Sequence, residues 1–162
     1  MTARVPTGAS AGAAVGEPAP AFTLRASSGE TVRLADLRGR RVVLYFYPKD
    51  DTPGCTKEAC DFRDRLPSFA KANAVVLGVS RDDEASHQRF AKKFDLPFPL
   101  LSDPDGAVCK AYGVWQQKSM YGRTYWGIER TTVVIDEQGR IAAVYPKVRV
   151  DGHADAVLQA LA

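Results

Sequence analysis

The sequence predicts an α/β fold with a mixed central sheet and helices on both faces. Three observations predict it. Arg41–Tyr47 (RVVLYFY) and Ala74–Ser80 (AVVLGVS) are β-branched and aromatic nearly throughout, as strands buried on both faces are. A helix-patterned stretch separates them, which makes a parallel βαβ unit. Near the C-terminus, Arg130–Ile135 and Ile141–Tyr145 flank Asp136-Glu137-Gln138-Gly139, a hairpin turn, and a helical pattern follows.

The other elements fall in order around these. Pro18 and Pro20 fix an extended lead-in to the domain. Phe22–Leu24 and Thr31–Leu34 flank Ser27-Ser28-Gly29-Glu30 as a short hairpin, and Asp36–Gly39 reads as a turn. Thr52-Pro53 opens a helix, with Thr as N-cap and Pro in the first turn, expected to run to about Leu66, before Pro67. Asp83–Phe94 is helical, with Phe90 and Phe94 at i, i+4. Leu100-Leu101 is a brief strand and Pro104–Tyr112 a short helix. His153–Leu161 is a closing helix with Val157, Leu158 and Leu161 inward. A parallel βαβ half followed by an antiparallel hairpin and a last helix is a thioredoxin-like plan.

The chain has 162 residues, 45% hydrophobic and 25% charged, which suits one globular domain with its own core. Residues 1–16, rich in Ala, Gly and Ser, read as a flexible lead-in to a single domain over residues 17–162. They lack the apolar stretch of a secretory signal, and no run approaches the ~18 apolar residues of a membrane span. The net charge of +3 comes from scattered Lys and Arg, which argues against nucleic acid or a membrane surface as partner. Three cysteines are too few for a secreted disulfide framework, so the expected compartment is the cytoplasm.

In that compartment a close cysteine pair points to catalysis or metal. Cys55 falls in the first turn of a helix that follows a strand and a loop. Unpaired amides and the positive end of the helix dipole meet there and favour a thiolate, the reactive form of cysteine. At 100° per residue, Ala59, Phe62 and Leu66 lie within about 40° of Cys55, which therefore heads the apolar face, while Cys60 lies about 140° round the helix. The two Cα atoms are then about 8.6 Å apart, beyond the ~7 Å that a disulfide spans. The spacing leaves two readings open: unrelated thiols, or a redox cycle in which the helix start unwinds. Cys-x4-Cys alone is a weak metal signature, His87 and His153 are not at ligand spacing to it, and no Cys-x-x-Cys exchange motif is present.

The segment Tyr45-Phe-Tyr-Pro-Lys-Asp-Asp-Thr-Pro-Gly-Cys-Thr-Lys-Glu-Ala-Cys60 resembles the signature of peroxiredoxins of the bacterioferritin-comigratory-protein (PrxQ) type. Phe98–Asp103, Tyr112–Trp115 and Arg130–Asp136 resemble that family too, in the same order. The resemblance implies a thiol peroxidase for hydrogen peroxide and organic hydroperoxides, without metal, haem or flavin. Cys55 would be the peroxidatic cysteine and Cys60 the resolving one, in an intramolecular disulfide reduced by thioredoxin. Thr52 would bind the peroxide, Pro48 would shield the pocket, and Arg130 would lend positive charge. The resemblance also leans toward a monomer. In a thioredoxin-like sheet, strand 130–135 runs antiparallel beside strand 41–47, which brings Arg130 to the 48–55 loop.

Other residues are read more plainly. Cys109 is a small core or near-surface thiol, and His87, in a polar helical stretch, is expected to face solvent. His153 is expected at the surface or capping the last helix. Trp115–Trp126 is read as an aromatic loop, covering the core or bordering the peroxide entrance or a partner surface, and Glu58 as a candidate partner for an arginine. The rival readings are a disulfide oxidoreductase on the same fold, a redox-sensing binding or holdase protein, and a metallochaperone using Cys55 and Cys60.

Overall fold

The computed structural model describes residues 14–161, so most of the lead-in expected over residues 1–16 lies outside the described residues. Gly16, at its end, is bonded on both sides: its amide donates to Ile141 O, and Arg140 Nη1 donates to its carbonyl.

Thr23–Ala26 (β1) and Thr31–Arg33 (β2) form the first hairpin, and the Asp36 turn is part of a 3₁₀ turn over Leu34–Leu37. Arg41–Phe46 (β3) leads into Pro53–Asp64 (α1) and Leu66–Lys71 (α2). Ala74–Ser80 (β4), Glu84–Lys93 (α3), Leu100–Ser102 (β5) and Ala107–Ala111 (α4) follow. The chain ends with Trp115–Met120 (β6), Arg123–Ile128 (β7), Thr131–Ile135 (β8), Ile141–Tyr145 (β9) and His153–Leu161 (α5).

Seven strands form one mixed sheet in the order β2-β1-β5-β4-β3-β8-β9. β3, β4 and β5 are parallel, while β8 pairs antiparallel with β3, setting Thr131 opposite Phe46. β3 is buried on both faces because successive side chains alternate. Val42, Leu44 and Phe46 join the core with Phe22, Leu101, Cys109 and Tyr112, and Val43, Tyr45 and Tyr47 join the core under α1 and α5. Gly78 of β4 lies beside Tyr45; a Cβ there would come within 2.9 Å of the Tyr45 ring. That bare backbone lets the Tyr45 ring stack on Phe62 of α1, centroids 4.8 Å apart.

Two expectations are corrected. The helix opened at Pro53 ends at Asp64, and Pro67 lies in the first turn of a second helix that begins at Leu66. Proline lacks only an N–H that a first turn leaves unpaired, so α2 accommodates it. Trp115–Trp126 is not a loop: β6 and β7 pair antiparallel in a sheet of their own. Their two-residue turn is Tyr121-Gly122, both at positive φ (54° and 77°), as a type I′ hairpin requires. Tyr121 stands where Asn or Asp marks such turns, and the polar Gln, Lys and Ser of β6 mask the strand pattern. No described helix is long and apolar enough to cross a membrane.

Candidate active site

The β3–α1 loop crosses the end of the sheet where β3 finishes and β8 starts. Asp51 turns the chain with φ 58°, and Thr52 is extended before α1 begins at Pro53. The first intrahelical bond runs from Thr56 N to Thr52 O, so the amides of Gly54 and Cys55 precede it and carry the positive pole of the helix. Cys55 is 1% exposed and packs inward with Ala59 and Phe62, the face that the helical phase predicts.

Arg130, just before β8, reaches that sulfur. Its Nη2 donates to Cys55 Sγ at 3.3 Å, and its Nη1 donates to Glu58 Oε1 at 2.6 Å. Gly54 makes room: a Cβ there would lie 3.2 Å from Arg130 Nη2. Glu58, one turn along α1 from Cys55, is thus the arginine's carboxylate partner. It is almost fully buried, and its second oxygen, Oε2, has no partner among the described residues. Burial raises its pKa to about 7, and the charge and hydrogen bond of Arg130 pull it down only in part. Burial acts to lower the pKa of Arg130, but the charges of Glu58 and Cys55 outweigh it, so the guanidinium keeps its proton. The buried hydroxyl of Tyr45 has no partner among the described residues either, and burial, then the charge of Glu58, holds it well above the usual phenol range.

The other predicted residues occupy different places. Thr52 stands at the N-cap position, but its hydroxyl donates to Lys49 O at 2.8 Å and makes no capping bond. Its oxygen lone pairs stay free to accept. Pro48 is exposed at the start of the loop. Cys60 lies on the same unbroken helix as Cys55, half-buried, and both thiols are free. Cys109 is fully buried, its pKa pushed up by burial and a hydrogen bond to Asp103. An open depression of about 630 Å³ at the start of α1 is lined by Pro53, Gly54, Lys57, Arg149, Val150 and Asp151, but not by Cys55 or Arg130.

Both histidines are corrected. His87 is completely buried: its Nδ1 lies 2.7 Å from Asp50 Oδ2 and its Nε2 2.9 Å from Leu101 O. The polar composition of α3 hides that His87 and Phe90 share its inward face. His153 is also buried, with Nε2 2.7 Å from Thr132 Oγ1 and its ring edge-on to Phe62 and Tyr145. Burial, then the charge of Arg130, lowers its pKa to about 4, so it is neutral near neutral pH. The ligand atoms of Asp50, Asp82 and His87 lie within 4.8 Å of one another, but Asp50 and Asp82 accept bonds from Tyr47, Ser80 and Ser86, a hydrogen-bond network in place of an open metal site.

A buried sulfur under a helix N-terminus, held against a guanidinium, is arranged for nucleophilic attack that expels an anion. Comparison with known proteins gives the family. The model of the AhpC/TSA family matches residues 15–144. A Coxiella burnetii relative with the bcp peroxiredoxin name is 58% identical over 89% of this chain and 95% of its own. Peroxiredoxin Bcp of Bacillus subtilis is 48% identical over 91% of this chain and 94% of its own. The solved structure of the Xanthomonas campestris bacterioferritin comigratory protein, studied for alkyl peroxide reduction, is 48% identical with TM-score 0.83, covering 86% of this chain and 89% of that one.

Proposed function

The chain belongs to the AhpC/TSA family and is a peroxidase of the peroxiredoxin kind, and from that premise we propose that Cys55 is its peroxidatic cysteine and Cys60 the resolving one. The observation that carries this reading is the Arg130 guanidinium bonded at once to Cys55 Sγ and Glu58.

The Cys55 thiolate attacks one oxygen of the hydroperoxide. A sulfur–oxygen bond forms, the O–O bond breaks, and its electron pair leaves on the alkoxide or hydroxide, which takes up a proton. Negative charge moves from sulfur to the departing oxygen, so Arg130 and the free α1 amides stabilise it along the whole path. Thr52 Oγ1 accepts a hydrogen bond from the peroxide O–H, and Pro48 screens the loop side of the pocket. Organic hydroperoxides are substrates beside hydrogen peroxide, a reading supported by the alkyl peroxide reduction studied in the Xanthomonas relative.

Cys55 is now a sulfenic acid. The Cys60 thiol displaces its hydroxyl, giving a disulfide and water. Cys55 is buried and Cys60 lies on a different side of the same helix, so the first turns of α1 unwind for that bond to form. A dithiol such as thioredoxin returns both thiols and is itself oxidised. Because the pair lies within one helix, the cycle needs no second subunit, which supports a monomer; the sparse cysteines support a cytoplasmic setting.

A coupled assay tests this. Wild type consumes hydrogen peroxide at the expense of thioredoxin, and Cys55→Ser does not. Cys60→Ser oxidises once and then stalls with thioredoxin as reductant. Sustained turnover by Cys55→Ser rejects the assignment.

A further inference from the structure

The loop that carries the site is fastened at its centre by side chains that the peroxide chemistry does not use. Asp50 is buried and both its carboxylate oxygens are taken. Oδ1 accepts from Tyr47 OH at 2.6 Å; Oδ2 accepts from Ser86 Oγ at 2.8 Å and meets His87 Nδ1 at 2.7 Å. The Asp50 amide donates to Asp82 Oδ2, which also accepts from Ser80 Oγ. Leu101 O can only accept, so His87 Nε2 donates to it, and the other ring nitrogen faces Asp50. One residue of the loop is thereby tied to the ends of β3, β4 and β5 and to the start of α3. The adjacent Asp51 sits in the left-handed region, which persists where the surroundings impose it. Its own tie, Lys93 to Asp51, is exposed and contributes little.

We propose that Asp50 and His87 are positioning residues forming a buried latch: closed, it holds the 48–52 loop and the start of α1 in the peroxide-reactive arrangement, and it must release before Cys55 reaches Cys60. The inference rests on the peroxidase reading above. The two demands on the loop are opposed. Attack on peroxide needs Thr52, the α1 amides and Arg130 fixed around Cys55, whereas disulfide formation needs the same segment undone. A network of charge-assisted bonds in a dry setting sets that balance.

The test measures the two steps separately, by rapid quench and mass spectrometry. Sulfenic acid formation is followed with hydrogen peroxide in a Cys60→Ser background, and disulfide formation in the Cys60 chain at saturating peroxide. Asp50→Ala slows the first step by about tenfold and speeds the second by about tenfold, since a loosened loop is less preorganised but opens more readily. Asp50→Asn still accepts from Tyr47 and its amide donates to His87 Nδ1, so both rates return most of the way to wild type. Val144→Ala, in β9 away from the loop, matches the loss of Tm without the opposed shifts. Unchanged rates in Asp50→Ala, two slowed steps, or the same pattern in Val144→Ala overturn the latch. A wild type that forms no sulfenic acid overturns the peroxidase reading and the latch with it; a reactive wild type with an indifferent Asp50→Ala overturns the latch alone.

Discussion

Arg130 donates from one nitrogen to Cys55 Sγ at 3.3 Å and from the other to Glu58 at 2.6 Å, although it lies 75 positions beyond the cysteine. The sheet makes this meeting: antiparallel pairing of β8 with β3 sets the residue before Thr131 beside the loop that leaves Phe46. The guanidinium bridges two groups through two nitrogens in a fixed plane, which an ammonium does not reproduce. Arg130→Lys therefore lowers the second-order rate constant for Cys55 oxidation, by about a hundredfold on the scale of one lost oxyanion donor. Stopped-flow oxidation by hydrogen peroxide measures it; a rate within twofold of wild type removes Arg130 from the chemistry.

Glu58 sets how much of the Arg130 charge is felt at the sulfur. Its pKa is raised to about 7, so near that pH it changes from a neutral partner to an anionic one. The stability consequence has a definite sign. The folded state holds a proton that the unfolded chain releases above about 4.5, so stability falls as pH rises from 4.5 to 7. Relative to Glu58→Gln, wild type loses up to ~3 kcal/mol across that window. Urea unfolding of both chains at several pH values measures the difference, and parallel curves contradict it.

His153 acts in the opposite direction. Its pKa is lowered to about 4 in the fold, so the unfolded chain binds the proton first as pH falls. Stability from this group is intact above about 6.5 and lost on acidification toward 4. Imidazole carbon-bound proton shifts of His153 in the NMR spectrum stay at their neutral positions to pH 5. A midpoint near 6.5 contradicts the buried, Thr132-bonded ring.

Gly54 separates stability from chemistry. An added methyl group meets Arg130 Nη2 at 3.2 Å, and the flexible end of the side chain yields by a few tenths of an ångström. Gly54→Ala removes a helix-weakening glycine, so Tm does not fall, yet Cys55 oxidation slows about tenfold as the guanidinium shifts. A lowered Tm with an unchanged rate contradicts the account.

Much of this was legible in the sequence because it depends on local rules. Arg41–Tyr47 and Ala74–Ser80 read as buried strands, and Thr52-Pro53 marked the helix start that buries Cys55. Arg130 was reachable by topology, since the antiparallel return of β8 fixes where its first residue falls. What stayed hidden depends on tertiary contact. His87 lies among Glu, Ser, Gln and Lys on α3, and only the loop's Asp50 folding over it makes it a core residue. His153 begins α5, where surface and capping residues are common, and only Phe62, Tyr145 and Thr132 enclose it. The β6–β7 hairpin carries Met120, Tyr121 and Trp126 exposed, so it has no apolar face from which a period can be read.

The central claim is that Cys55 is oxidised by peroxide and closes onto Cys60. A thiol count tests it most directly: reduce the protein, remove the reductant, add one equivalent of hydrogen peroxide, quench within about a second, and titrate under denaturing conditions. The chain has three cysteines, and the account predicts that two of the thiols vanish, leaving Cys109, with peptide mapping placing the bond between Cys55 and Cys60. In Cys55→Ser both remaining thiols survive. Three surviving thiols in the wild type, or a bond that includes Cys109, would contradict it.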